Sequence, residues 1–138
     1  MAQAHRATIL VVDDNPAIRE ILRGILRHDA RFNVIGDAAN GQMAMDLVSA
    51  LRPDLVCLDI LMPGMDGLEV LGRIRESHPM TRVVVVSGAS TPDVVSQALK
   101  AGASGFVVKP FNAAKVLQTL ETALAAPVPA GLRESPTA

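Results

Sequence analysis

Thr8-Ile9-Leu10-Val11-Val12-Asp13-Asp14-Asn15-Pro16 is the stretch on which the fold turns. An unbroken run of β-branched and aliphatic residues marks a strand buried on both faces, as in a parallel sheet covered by helices, and not the alternating strand of a half-exposed sheet. The run stops at two carboxylates. Asn15 is then placed to cap free N–H groups, and Pro16 suits the first position of a helix. Beyond them Ile18, Ile21, Leu22, Ile25 and Leu26 recur at intervals of three and four, which puts them on one helical stripe.

The same pattern repeats along the chain. Leu55 to Leu58, Val83 to Val86 and Phe106 to Val108 read as further buried strands. Phe32 to Ala38, with Asn33, Gly36 and Asp37 inside it, reads as a strand at the sheet edge. Met43, Leu47, Val48 and Leu51 predict a second helix, ended by Pro53. Leu68, Leu71 and Ile74 predict a third. Val94, Val95, Ala98 and Leu99 predict a fourth, opened by Thr91-Pro92-Asp93, and Val116, Leu117, Leu120 and Leu124 a fifth, capped by Asn112. The count is five βα units, an α/β fold with a doubly wound parallel sheet. A single domain over residues 1–126 follows, with residues 127–138 as a flexible Pro-rich tail or linker.

Composition narrows the function. The chain has 138 residues, no Trp or Tyr, and 13 basic against 14 acidic residues. No aromatic platform and no broad basic surface is available, so a nucleic-acid role for this domain is not expected. No apolar run approaches the length of a membrane span, and no signal peptide is evident, so a cytoplasmic protein without membrane contact is expected. Cys57 stands alone and reads as a small core residue. His5, His28 and His78 have no metal-ligand spacing and read as solvated.

In an open α/β sheet, ligands bind beyond the carboxyl ends of the strands. Here the first strand runs into Asp13-Asp14, the third into Asp59, the fourth into Ser87-Gly88 and the fifth into Lys109-Pro110. Three carboxylates, a hydroxyl and an ammonium thus converge on one edge. Carboxylates so close together raise one another's pKa or require a cation, and hard oxygen ligands suit Mg²⁺. A metal and Lys109 together would hold a phosphoryl group while Asp59 attacks in line and Ser87 donates to a phosphoryl oxygen. The chemistry implied is covalent phosphorylation of an aspartate.

With Val11-Val12-Asp13-Asp14-Asn15, Leu58-Asp59 through Met62-Pro63-Gly64-Met65-Asp66-Gly67, Val86-Ser87-Gly88-Ala89 and Val107-Val108-Lys109-Pro110-Phe111 in this order and spacing, the chain resembles the CheY-like receiver domains of bacterial response regulators. The likeness runs from about Ala7 to Ala125. It implies a flavodoxin-like sheet of order 2-1-3-4-5 with five helices. It implies Asp59 as phosphoacceptor and Mg²⁺ held by Asp14, Asp59 and the backbone carbonyl of Leu61, with Asp13 acting through a metal-bound water. It further implies Lys109 paired with the phosphoryl group, a cis Lys109-Pro110 peptide, and a switch coupling Ser87 to rotation of Phe106. The implied partners are a histidine kinase or phosphotransfer protein and an output protein read through the fourth helix, fifth strand and fifth helix. A phosphorylation-dependent homodimer is also compatible with the family. Leu61 and Ala89 stand where the best-known chemotaxis member has polar side chains, which predicts slow self-dephosphorylation. Phe106 lacks a Tyr hydroxyl, so its switching would depend on packing.

Each of these residues has a plainer reading alone: Asp13-Asp14-Asn15 as a polar turn, Ser87 and Lys109 as strand-terminal solvated groups, Phe106 as core. Their joint placement favours the functional one. A haloacid-dehalogenase-type phosphatase would need a second Asp two residues after the nucleophile, where this chain has Leu61. A flavodoxin-like FMN carrier would not put acidic residues at the first phosphate loop. A pseudo-receiver that only binds a partner would not need the complete acidic set.

Overall fold

A computed structural model describes residues 6–128. His5 and residues 129–138 of the expected tail lie outside the described residues. The chain order is β1 (Ala7–Val12), α1 (Pro16–Arg27), β2 (Phe32–Ala38), α2 (Gly41–Leu51), β3 (Leu55–Leu58), β4 (Leu61–Met62), β5 (Met65–Asp66), α3 (Gly67–Ser77), β6 (Arg82–Ser87), α4 (Pro92–Lys100), β7 (Gly105–Val108) and α5 (Ala113–Ala125). The main sheet is parallel, in the order β2-β1-β3-β6-β7, which is 2-1-3-4-5 when only its own strands are numbered.

Alternation along the strands divides the core in two, because successive side chains point to opposite faces. Leu10, Val12, Val56, Leu58, Val83 and Val85 meet Val48 of α2, Val70, Leu71 and Ile74 of α3 and Ala98 of α4. Ile9, Val11, Leu55, Cys57, Val84, Val86 and Val107 meet Leu22 and Leu26 of α1 and Val116, Leu120 and Ala123 of α5. The central strands β1, β3 and β6 are near-continuous apolar runs because both faces are covered. Both edge strands have mixed burial patterns: β2 also has a register break opposite Ile9 and Leu10, and β7, read from the sequence as a buried strand, leaves Val108 exposed because it has a neighbour on one side only.

The helices start where the caps predict. The side chains of Asn15, Thr91 and Asn112 accept from Ala17 N–H, Val94 N–H and Lys115 N–H, each such cap stabilising by about 1 kcal/mol. No described helix is long and apolar enough to cross a membrane. Two details differ from the sequence reading. The turn after Asp59 is a small antiparallel hairpin, β4–β5, whose two-residue strands are too short to carry a periodic signal. Ile21, Met43, Leu51 and Leu99 are exposed although they lie on the apolar stripes. A stripe is wider than the contact a flat sheet makes with a helix, so its flanks reach solvent.

Candidate functional site

Parallel pairing carries the acidic residues to one edge. Val12 of β1 lies beside Leu58 of β3, and Asp59 N–H donates to the Val12 carbonyl at 2.9 Å, which sets Asp59 next to Asp13. Asp13 N–H donates to Ala38 at the end of β2, and Lys109 N–H to Ser87 at the end of β6. All five strands of the main sheet thereby anchor the backbone of the site.

Asp13, Asp59 and Ser87 are 1%, 4% and 0% exposed, whereas Asp14 is exposed. Carboxylate oxygens of Asp13, Asp14 and Asp59 lie within 4.8 Å of one another. Lys109 Nζ bridges two of them, at 2.8 Å to Asp13 Oδ2 and 3.2 Å to Asp59 Oδ2. The remaining oxygens are oriented by the backbone: Asp13 Oδ1 accepts from Asn15 N–H at 2.9 Å, and Asp59 Oδ1 from Leu61 N–H at 3.0 Å.

Burial pushes the Asp13 carboxyl above its ordinary value, against the lowering by Lys109 and by Asn15 N–H, and the Asp59 charge adds to the rise. For Lys109, burial works to lower the pKa, but the hydrogen bond to Asp13 and the charges of Asp59 and Asp13 prevail, so the ammonium is held above its ordinary value. The pocket thus contains more negative charge than one lysine offsets. An all-carboxylate donor set of this kind, close-spaced and partly open at Asp14, fits a hard divalent cation such as Mg²⁺.

The other predicted residues surround this centre. Ser87 takes a hydrogen bond from Ala89 N–H onto its hydroxyl oxygen at 3.2 Å. Phe106, half-buried, packs against the core face shared with α2, α3 and α4. Leu61 is 61% exposed at the rim. The Lys109–Pro110 peptide is cis. Gly67 lies beneath the pocket wall, where a Cβ would come within 2.1 Å of Ile60 Cα, so only glycine lets α3 approach the segment after Asp59. Cys57 is buried, its thiol pushed up to about 12 by desolvation. His28 is exposed, and His78 is half-buried with Ser49 Oγ 3.4 Å from its ring. One neighbour of the site went unread in the sequence: Arg19 of α1 donates to the Asp13 carbonyl. Nothing in an Arg among other surface arginines of a helix signals such a contact.

Comparison with known proteins places the chain in one family. A family model described as the response regulator receiver domain matches residues 9–121. Chemotaxis protein CheY of Listeria monocytogenes is 41% identical over 115 residues, 83% of this chain and 96% of that protein. The nitrate/nitrite response regulator NarL of Escherichia coli is 38% identical over 125 residues; these make up 91% of this chain but only 58% of the relative's length. Among solved structures, a chain of the CheX-CheY-BeF3-Mg²⁺ complex of Borrelia burgdorferi superposes with a TM-score of 0.83 at 34% identity, covering 87% of this chain and 90% of the other.

Proposed function

The chain belongs to the response regulator receiver domain family, and from that premise we propose that Asp59 accepts a phosphoryl group from the phosphohistidine of a histidine kinase or phosphotransfer protein. The observation that carries this reading is the Lys109 ammonium bridging the buried Asp13 and Asp59 at 2.8 and 3.2 Å beside the exposed Asp14. In the transfer, a carboxylate oxygen of Asp59 attacks phosphorus in line, the P–N bond to the donor imidazole breaks, and its electron pair leaves with the ring nitrogen. The product is an acyl phosphate. Lys109 donates to the Asp59 carboxylate beforehand and offsets charge on the phosphoryl oxygens afterwards.

Asp14, Asp59 and the Leu61 carbonyl would hold Mg²⁺ directly, and Asp13 through a water. When bound, the cation supplies charge neutralisation at the phosphoryl oxygens. Ser87 offers its hydroxyl proton to one of those oxygens, and its movement, coupled to Phe106, alters the face made by α4, β7 and α5 that the output partner reads. Leu99 and Val108 on that face are half exposed. The chain is a phosphoacceptor module and not a turnover enzyme. Apolar Leu61 and Ala89 offer no polar group to orient an attacking water, so self-dephosphorylation is slow.

The test is incubation with Mg²⁺ and acetyl phosphate, read by intact mass, and with beryllofluoride, read by amide chemical shifts. One phosphoryl adduct is expected, absent without Mg²⁺ and absent in Asp59→Asn. An adduct that persists in Asp59→Asn, or sustained hydrolysis of phosphate monoesters, overturns the reading. A phosphoryl half-life of seconds would contradict the role given to Leu61 and Ala89.

A further inference from the structure

The β1–α1 loop delivers two of the three carboxylates, and few contacts define its course. Asp13 N–H is held by Ala38, and the Asp13 carboxylate takes Asn15 N–H. The Asp13 carbonyl, which forms the peptide link to Asp14, accepts from Arg19 Nη1 at 2.7 Å. Arg19 Nε faces Asp37 Oδ2 at 3.6 Å, and Asp37 is held in turn by Arg23 Nη1 at 3.3 Å. The Arg19 side chain is only 20% exposed. One guanidinium therefore spans the Asp13–Asp14 peptide and the end of β2, using two edges of its planar fork at once.

We propose that Arg19 is a positioning residue for the divalent-cation site: it fixes the plane of the Asp13–Asp14 peptide, and so the direction in which Asp14 is presented, while Asp37 orients its guanidinium. This rests on the pocket being the Mg²⁺-dependent phosphoacceptor site argued above.

Electrostatics and positioning predict opposite signs, which makes the proposal decidable. A guanidinium acting only as a nearby positive charge repels the cation, so its removal would tighten Mg²⁺ binding. A guanidinium that orients the ligands does the reverse, and loss of such an outer partner weakens metal affinity on the order of ten-fold. Lysine retains the charge but offers a single point donor that cannot serve both the carbonyl and Asp37.

The experiment is calorimetric titration of MgCl₂ into the wild-type chain and into Arg19→Ala, Arg19→Lys and Asp37→Asn, with amide spectra and melting curves in EDTA to follow the fold separately. The expected order of Kd is wild type, then Asp37→Asn and Arg19→Lys at intermediate values, then Arg19→Ala weakened about ten-fold. If Arg19→Ala does not fold, Arg19→Lys, which keeps the charge and loses the fork, carries the comparison. Wild-type binding with unchanged or tighter binding in the variants overturns the positioning role alone. No binding by the wild-type chain overturns the phosphoacceptor reading of the pocket, and this inference with it.

Discussion

The two edges of the sheet treat carboxylates in opposite ways. At the amino edge Asp54, leading into β3, accepts from Thr8 N–H at 2.9 Å and Thr8 Oγ1 at 3.2 Å, while its own N–H donates to Thr8. Asp29, ahead of β2, accepts three bonds from Arg31, and that arginine holds its carboxyl down to about 2. At the carboxyl edge Asp13 and Asp59 are more deeply buried, share one lysine, and the Asp13 carboxyl is pushed up instead. At the amino edge each acid has found its own partners and contributes to stability. The carboxyl edge keeps an excess of negative charge that a cation, protonation or a covalent change would relieve, and residual conflict of this kind marks functional sites.

The comparison can be broken most severely at the frame that tolerates this conflict. Gly67→Ala drives a methyl into Ile60 Cα; overpacking against backbone should cost about 3 kcal/mol in denaturant unfolding, and a smaller loss would mean the wall after Asp59 is looser than its geometry. Next in size is a pair of opposite signs. Asp54→Ala removes an acceptor from two Thr8 donors and should destabilise by about 1–2 kcal/mol. Asp13→Asn removes a charge that burial disfavours, and in Mg²⁺-free buffer its melting temperature should exceed that of the wild type. Added Mg²⁺ should narrow this gap, because a ligand that binds only the folded wild type stabilises it by mass action. Destabilisation by Asp13→Asn without metal would refute the contrast between the edges.

The smallest effect is in the titrations. Asp29 has a folded pKa below its reference value of 3.8, so its contribution is present above that pH and is lost as pH falls through about 2. Asp13 lies above the same reference, so its charge costs stability at neutral pH, and that cost fades as pH drops through the raised folded value towards 3.8. Carbon-detected NMR of the side-chain carboxyls should therefore find Asp13 protonating before Asp29 on acidification. The reverse order would remove the electrostatic half of the comparison.

Much of this was open to reading along the chain. The central strands were legible because burial on both faces leaves near-continuous apolar runs, and β3 has the bounds its run predicts; the mixed edge strand β2 also spans the residues expected of it. The helix starts were legible because a cap is a local device, needing only Asn15, Thr91 or Asn112 and the next turn of backbone. The acidic set was legible because parallel topology sends every strand's carboxyl end to one edge, so Asp13, Asp14, Asp59, Ser87 and Lys109 could be grouped without coordinates. The β4–β5 hairpin, the exposure of Ile21 and Leu99, and the grip of Arg19 on the Asp13 carbonyl were not legible.

By itself, then, the sequence determined which residues reach the working edge, because strand direction and hydrophobic period are local properties that the chain writes out in order. Only the tertiary structure decided that Lys109 bridges Asp13 and Asp59 while Asp14 stays open, and that Arg19 reaches the Asp13–Asp14 peptide. Those outcomes depend on ångström-scale distances between side chains from separate elements, set by how helices and strands pack and not by any residue's neighbours in sequence.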